Sequence, residues 1–459
     1  MKAQNNSQRN AVEPVWLGTI ALVALTVRIV LALQPHVLQA DEGAYVWLGR
    51  NLVTGRGFTF IGIPEVHYTP LFPALCGLVY LLLGSLEAAS KVCFVVFGTG
   101  LVVPVYLLAR AIYGVREARL ACLLVAVLPA VTSHVLYWGS MSEPLYLFLL
   151  FWGLWLVWRA WQEGGWKLHA GAACLLSLAY LARPEGLIFV GAGLAFLALV
   201  KGRQVVARWR ELAAYLAVFA LFAAPYVAYL HRETGAWMLT GKVWTAYVQD
   251  RALANRDWIT FDQMTWGLDA TGEVLYHSKE RFSRSLESYI AAEPAAFVRG
   301  MVDNARTLPS ILVAREGVPR PLLVFLGLAL FLQPWTRVRA RAEGFLGGVA
   351  LVPLVTFWPV LFSVRFLQPV YPVAMIWAAR GIVAVGDWLA ETVRAVLAGG
   401  PGDAGTHKDG EEREGDLGAG SSLDLRRASR WSWLVALPAA LVVLYMLSLH
   451  PGLVRQGAA

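Results

Sequence analysis

The sequence predicts an all-α polytopic membrane protein, and three observations carry that expectation. Of its 459 residues, 58% are hydrophobic and 15% charged, against roughly a quarter charged in typical globular chains. Mean hydropathy is +0.55. The apolar residues come in more runs of membrane-spanning length than one soluble core could bury, and Lys and Arg collect between them. The net charge of +8 therefore reads as inner-loop charge, not as a nucleic-acid surface. Cys76, Cys93, Cys122 and Cys174 all lie in apolar stretches without CxxC spacing and read as small core residues.

About eleven spans follow from roughly 20 apolar residues per crossing. They lie near Pro14–Leu33, Ala88–Ala109, Arg119–Tyr137, Pro144–Gln162, Leu168–Ala182 and Glu185–Val200. The others lie near Glu211–Leu230, Arg320–Trp335, Gly344–Phe362, Phe366–Val385 and Trp431–His450. The first run is too long, and lacks a small-residue cleavage site, for a removable signal peptide. Leu71–Gly84 is apolar but short and contains Pro73, which suits an interfacial segment better than a span. Loop charge agrees. If this segment does not cross, Arg110, Arg116, Arg119, Arg159, Lys167, Lys201–Arg210, Arg337–Arg341 and Arg426–Arg430 all fall on the cytoplasmic side.

That topology divides the chain into a transmembrane module over 1–230 with a first outer loop at 34–87, an extracytoplasmic segment at 231–319 and further spans at 320–385. A Gly- and charge-rich linker at 386–430, expected to be disordered and cytoplasmic, and a last span with its tail at 431–459 complete it. The expected location is the plasma membrane, with the N-terminus cytoplasmic.

Candidate chemistry gathers at the outer ends of the spans. QADEGAY (39–45) puts Asp41 and Glu42 just past the first span. Tyr45, Leu48 and Leu52 then recur at helical spacing, with Arg50 and Asn51 on a more polar side, as in a helix lying on the bilayer. Asp41 is either an ordinary N-cap or a catalytic carboxylate; both readings stand. Glu143, in YWGSMSEPLY, shares the expected outer face with Asp41. It is either a cap beside Pro144 or a second functional acid, since two carboxylates on one face can divide base work from phosphate or metal handling. Arg183 in YLARPEG and Arg365 in FSVRFLQPVYP sit at outer span ends, and Arg28 lies inside the first span. Each either snorkels or recognises a phosphate. Glu65, His67 and Tyr68, in PEVHYTPLFP, are candidates for a metal or acceptor site, a lone His being more often structural.

Together these pieces resemble the GT-C superfamily of membrane glycosyltransferases, in the flavour of protein O-mannosyltransferases and aminoarabinose transferases. The resemblance rests on the ADE motif after span one, YTPLFP, LLARAIYG, the SEP turn, LARPEG and RFLQPVYP, in that order across most of Pro14–Val385. The chain departs from the aminoarabinose transferases at Tyr68 and Thr69, where those carry an acidic residue and a lysine. It also lacks the soluble repeat domain of eukaryotic protein mannosyltransferases.

The resemblance implies a GT-C-like bundle of about 11 transmembrane helices with outer-face interfacial helices and a small extracytoplasmic segment. It implies an inverting hexosyl- or pentosyltransferase that moves a sugar from a polyprenyl-phosphate carrier to a lipid, glycan or protein hydroxyl at the outer face. Asp41, Glu42 and Glu143 would be catalytic, and Arg183, Arg365 and Arg28 would hold the donor phosphate. No cofactor is certain, a divalent metal being the open alternative. The partners expected are the lipid-linked donor, the acceptor and the bilayer, with no nucleic acid. The competing class is a transporter or lipid-sugar flippase without transferase activity. Such proteins place ionisable groups near the bilayer midplane in repeated halves, and no repeat is visible here.

Overall fold

Helices build the computed structural model almost throughout. It describes residues 2–457 apart from 36–39, 138–141, 202–208, 243–246, 249–250, 253–254, 262–285, 315–316, 333, 361 and 398–432. The first helix, α1 (Lys2–Ala32), leads to α2 (Ala40–Val53) and a short antiparallel hairpin of β1 (Thr59–Phe60) and β2 (Ile63–Pro64). Next come α3 (Leu71–Leu83), α4 (Leu86–Gly100), α5 (Val102–Ile112), α6 (Val115–Val127) and the short α7 (Ser133–Tyr137). The middle of the chain forms α8 (Glu143–Glu163), α9 (Trp166–Ala182), α10 (Gly186–Lys201) and α11 (Trp209–Thr234). After the loop segment come α12 (Leu286–Ala292), α13 (Pro294–Leu312), α14 (Arg320–Phe331), α15 (Arg337–Phe357), α16 (Val370–Leu397) and α17 (Trp433–Gly457).

Six helical stretches among the described residues are long and apolar enough to cross a membrane, counting α4 and α5 as one, and four shorter apolar helices join them. The chain is a multi-pass membrane protein. Its core runs between α8, α9, α10 and α11 on one side and α1, α5, α6 and α16 on the other, with Trp158 fully buried against Phe345 and Trp161.

Prolines explain where the expected spans break. The run Ala88–Ala109 divides at Leu101 because Pro104 has no N–H to return to the Gly100 carbonyl. The run Arg119–Tyr137 is not one helix. Leu128, which precedes Pro129, is extended (ψ 122°), as the residue before a proline prefers. The carbonyls freed at this break find side chains from elsewhere: Arg28 Nη1 donates to Ala126 O at 3.1 Å, and His450 Nε2 to Val127 O at 3.0 Å. Gln368 donates to Ala130 O. Arg28, though fully buried, therefore braces the α6 break.

The expected short segment is α3, 13 residues long, about 20 Å at helical rise and too short for a ~30 Å hydrocarbon core. Gly84 ends it with φ 69°, and Ser85 caps α4 by accepting from Ala88 N at 3.3 Å. Helices α2 and α3 cross backbone to backbone, since a Cβ on Gly49 would strike the Pro73 carbonyl and one on Gly77 would strike Gly49.

The polar side expected for α2 is corrected: Asn51 is buried and Leu52 exposed. The Asn51 amide donates to Thr59 O at 2.8 Å, tying the helix to the hairpin. Residues 386–397, expected to open the linker, continue α16, while 398–430 lie outside the described residues. Of the segment 231–319, expected to be extracytoplasmic, residues 262–285 also lie outside them; its described part includes α12 and α13.

Candidate active site

One end of the bundle carries a ladder of alternating charges. Asp41, at the start of α2, accepts the Tyr68 hydroxyl on Oδ1 at 2.8 Å and Arg365 Nη1 on Oδ2 at 2.8 Å. The other edge of Arg365 donates from Nε to Glu143 Oε1 at 2.6 Å. The same Oε1 takes Arg183 Nη1 at 2.6 Å. Arg183 then reaches Glu185 through Nε (3.3 Å) and Nη2 (3.1 Å), and Lys242 Nζ lies 3.8 Å beyond, from Glu185 Oε1. Asp41, Glu143, Arg183 and Arg365 thus share one end of the bundle, the arrangement that a non-crossing α3 requires.

Local sequence sets each member. Pro144 occupies the first turn of α8, and Ser142 makes no side-chain cap. The Ser142 hydroxyl instead lies 3.3 Å from Arg183 Nη1 and 3.4 Å from the Tyr45 hydroxyl, and Glu143 is spent on the arginines. Neither residue keeps the bland capping role. Pro184 holds Arg183 extended (φ −150°, ψ 135°), which stops α9 and turns the guanidinium inward. Gly186 completes this turn because a Cβ there would strike the backbone of Ala179 and Tyr180. Arg365 lies in the turn that opens α16, where Ser363 O accepts from Phe366 N and Leu367 N, each at 3.1 Å.

Electrostatics keep the ladder ionised. Burial works to raise the Asp41 carboxyl, but Arg365, Lys242 and the Tyr68 hydroxyl outweigh it and hold it at about 2. Glu185 is held at about 2 in the same way, Arg183 and Lys242 opposing burial. The side chain of Asp41 is 31% exposed, against 12% for Glu185 and 2% for Glu143, which makes it the most open carboxylate of the ladder.

The remaining expected site residues sit apart from the ladder. Glu42 is fully buried and accepts the Ser90 hydroxyl of α4 at 3.0 Å. Arg28 belongs to the α6 break. Glu65 Oε1 accepts the backbone N–H of His67 (2.6 Å) and Tyr68 (3.2 Å), and Tyr229 of α11 donates to Glu65 O at 2.8 Å. Glu65 and His67 thus shape the loop that delivers Tyr68, whose ring packs on Tyr45 at 4.7 Å. Glu185 and Lys242 were not singled out from sequence. Glu185 had been absorbed into the start of an apolar run, and Lys242 lies in a loop with no span-end signal.

Among the described residues no three His, Cys, Asp or Glu side chains converge on a metal position. Each carboxylate of the ladder faces a guanidinium or ammonium instead. The described residues of the ladder do not fit a divalent ion.

A family model described as dolichyl-phosphate-mannose-protein mannosyltransferase matches residues 67–258, under half of the chain. No curated protein sequence matches the chain. Among solved structures, the apo oligosaccharyltransferase of Archaeoglobus fulgidus superposes with a TM-score of 0.56 at 16% identity, over 96% of this chain and 56% of that one. The same TM-score and identity hold for the A. fulgidus enzyme AglB in complex with an inhibitory peptide and a dolichol-phosphate, over 98% and 56% of the two chains. ArnT from Cupriavidus metallidurans bound to undecaprenyl phosphate gives 0.53 at 15% identity, over 96% and 75%. The chain spans little more than half the length of the archaeal enzymes. In its family match and in its fold, the chain resembles the GT-C membrane glycosyltransferases.

Proposed function

We propose that the protein is an inverting glycosyltransferase that moves a sugar from a polyprenyl-phosphate carrier to a hydroxyl acceptor at the outer membrane face. The observation that carries this reading is Asp41, an ionised and partly exposed carboxylate bound through Arg365 to the buried pair of Glu143 and Arg183. The family match and the fold agree with it.

In this mechanism the acceptor hydroxyl gives its proton to Asp41 as its oxygen bonds to the anomeric carbon. The bond from that carbon to the phosphate oxygen breaks, and the electron pair leaves with the polyprenyl phosphate. Inversion follows from a single displacement. The charge that develops on the phosphate needs preorganised cations. Arg365 and Arg183 supply them, and Glu143, shared between the two guanidiniums, fixes their positions. Tyr68 holds the other oxygen of Asp41. A lipid-linked donor also accounts for a catalytic site built at the end of a transmembrane bundle.

The purified protein, given a panel of polyprenyl-phosphate sugars and hydroxyl acceptors, should release polyprenyl phosphate and form a glycoside of inverted configuration. Translocation of a lipid-linked sugar without any transfer would favour the flippase reading instead.

A further inference from the structure

The ladder is uneven. Four of its five links, from Asp41 to Arg365, Glu143, Arg183 and Glu185, are at hydrogen-bond distance, between 2.6 and 3.1 Å at their shortest. The fifth, Lys242 to Glu185, is 3.8 Å, outside hydrogen-bond reach. Among the described residues the Lys242 ammonium has no closer acid. Its other neighbour is the face of Phe366, 5.8 Å away, next in sequence to Arg365.

An ammonium has three rotatable donors, and none is matched to an acceptor at bonding distance among the described residues. The arginines differ. Arg183 and Arg365 each spend several N–H groups on carboxylates, so an anion can gain them fully only by displacing a buried carboxylate, which is costly. At Lys242 nothing has to leave. The segment that carries it is fixed: Tyr180 OH donates to Leu239 O at 2.6 Å, and Lys242 N to Thr240 Oγ1 at 3.1 Å. Its side chain is 16% exposed, open to an entering group yet largely out of bulk water.

We infer that Lys242 is the cation that first takes the phosphate of the lipid-linked donor, beside Arg365 and before any carboxylate of the ladder is displaced. The inference rests on the glycosyltransferase reading for the identity of the phosphate. Lysine suits the task as a point charge on a flexible stem that can follow a headgroup. The ammonium is also under-compensated where it stands. Burial lowers its pKa from the ordinary lysine value, with Arg183 and Arg365 working in the same direction and Glu185 and Asp41 only partly offsetting them. An anion in this place relieves the repulsion among the three cations.

The test is equilibrium binding of undecaprenyl phosphate to the purified full-length protein in detergent, with undecaprenol as the uncharged control. Wild type should prefer the phosphate. Lys242→Gln should bind it roughly 10- to 100-fold more weakly, the loss of one charge-assisted bond, with an unchanged melting temperature. Lys242→Arg should restore most of the affinity, which a purely structural role does not require. Inorganic phosphate should compete with the lipid in wild type and lose that ability in Lys242→Gln. Wild-type affinity in Lys242→Gln, together with weakened binding in Arg365→Ala, overturns the role of Lys242 and leaves the donor reading standing. Equal wild-type binding of undecaprenol and undecaprenyl phosphate overturns both.

Discussion

The Tyr68 hydroxyl donates to Asp41 Oδ1 at 2.8 Å across 27 residues of chain. This bond closes the YTPLFP loop onto the acidic motif and leaves Arg365 to hold the second oxygen. Both oxygens of the proposed base are thereby oriented before any substrate arrives, one by a neutral donor and one by a cation. Tyr68→Phe removes only the neutral donor. Transfer should fall about 10-fold, the scale of one hydrogen bond to a charged group, while the melting temperature stays near wild type. Steady-state kinetics on the purified variant checks this, and an unchanged kcat would remove Tyr68 from the orientation of Asp41.

Glu143 stabilises through two partners at once. Glu143→Gln leaves the buried Arg183 guanidinium and the partly buried Arg365 guanidinium facing a neutral amide, and loss of one partner from a buried ion pair typically costs about 3–5 kcal/mol. The variant should melt well below wild type in detergent and lose transfer. A wild-type melting temperature would show that Arg183 and Arg365 do not depend on it.

Glu65 provides a pH signature. Burial raises its carboxyl from 4.5 to about 7, against the opposing backbone N–H groups of His67 and Tyr68. A folded pKa above the unfolded one means that the native state holds the extra proton between the two values. Stability from this group is present below pH 4.5 and is lost as pH rises towards 7. Glu65→Gln keeps the acceptor for the two N–H groups and removes the titration. It should be more stable than wild type above pH 7, by on the order of 3 kcal/mol, melt correspondingly higher there, and converge on wild type near pH 4. Melting curves across pH 4–8 check the sign; a constant difference at every pH would contradict it.

The shared end of Asp41 and Glu143 also makes a prediction about sidedness. A cysteine at exposed Arg56, in the turn after α2, should react with an impermeant maleimide from outside intact cells. A cysteine at Arg116, exposed at the opposite end where it pairs with Asp387, should react only after permeabilisation. The reverse pattern would invert the proposed orientation.

Much of the ladder was legible because its members stand at helix boundaries at the ends of apolar runs. Arg183 precedes Pro184, Glu143 precedes Pro144, and Asp41 follows the first span. A charge in such a place has few ways to be satisfied, so its type and position carry information. Lys242 and Glu185 were not legible. A lysine in a charged loop is locally unremarked, and a tie from a distant helix, Tyr180 to Leu239, helps bring this one to the site. The helix breaks were not legible for a related reason: Pro104 and Pro129 leave hydropathy intact, and the groups that repair the α6 break, Arg28, His450 and Gln368, come from segments far apart in sequence. The burial of Asn51 was not legible because its partner, Thr59 O, lies beyond the helix whose periodicity places Asn51 on a polar side.

The most direct test of the central claim is the transfer rate of Asp41→Asn with a polyprenyl-phosphate sugar that wild type uses. The amide keeps the shape and still accepts hydrogen bonds from Tyr68 and Arg365 through its oxygen, but it is far too weak a base to take the acceptor proton. A general base is typically worth 10²–10⁴-fold in rate, so transfer should fall by at least about 100-fold while undecaprenyl phosphate binding persists. A rate within about threefold of wild type would contradict the assignment of Asp41 as the base.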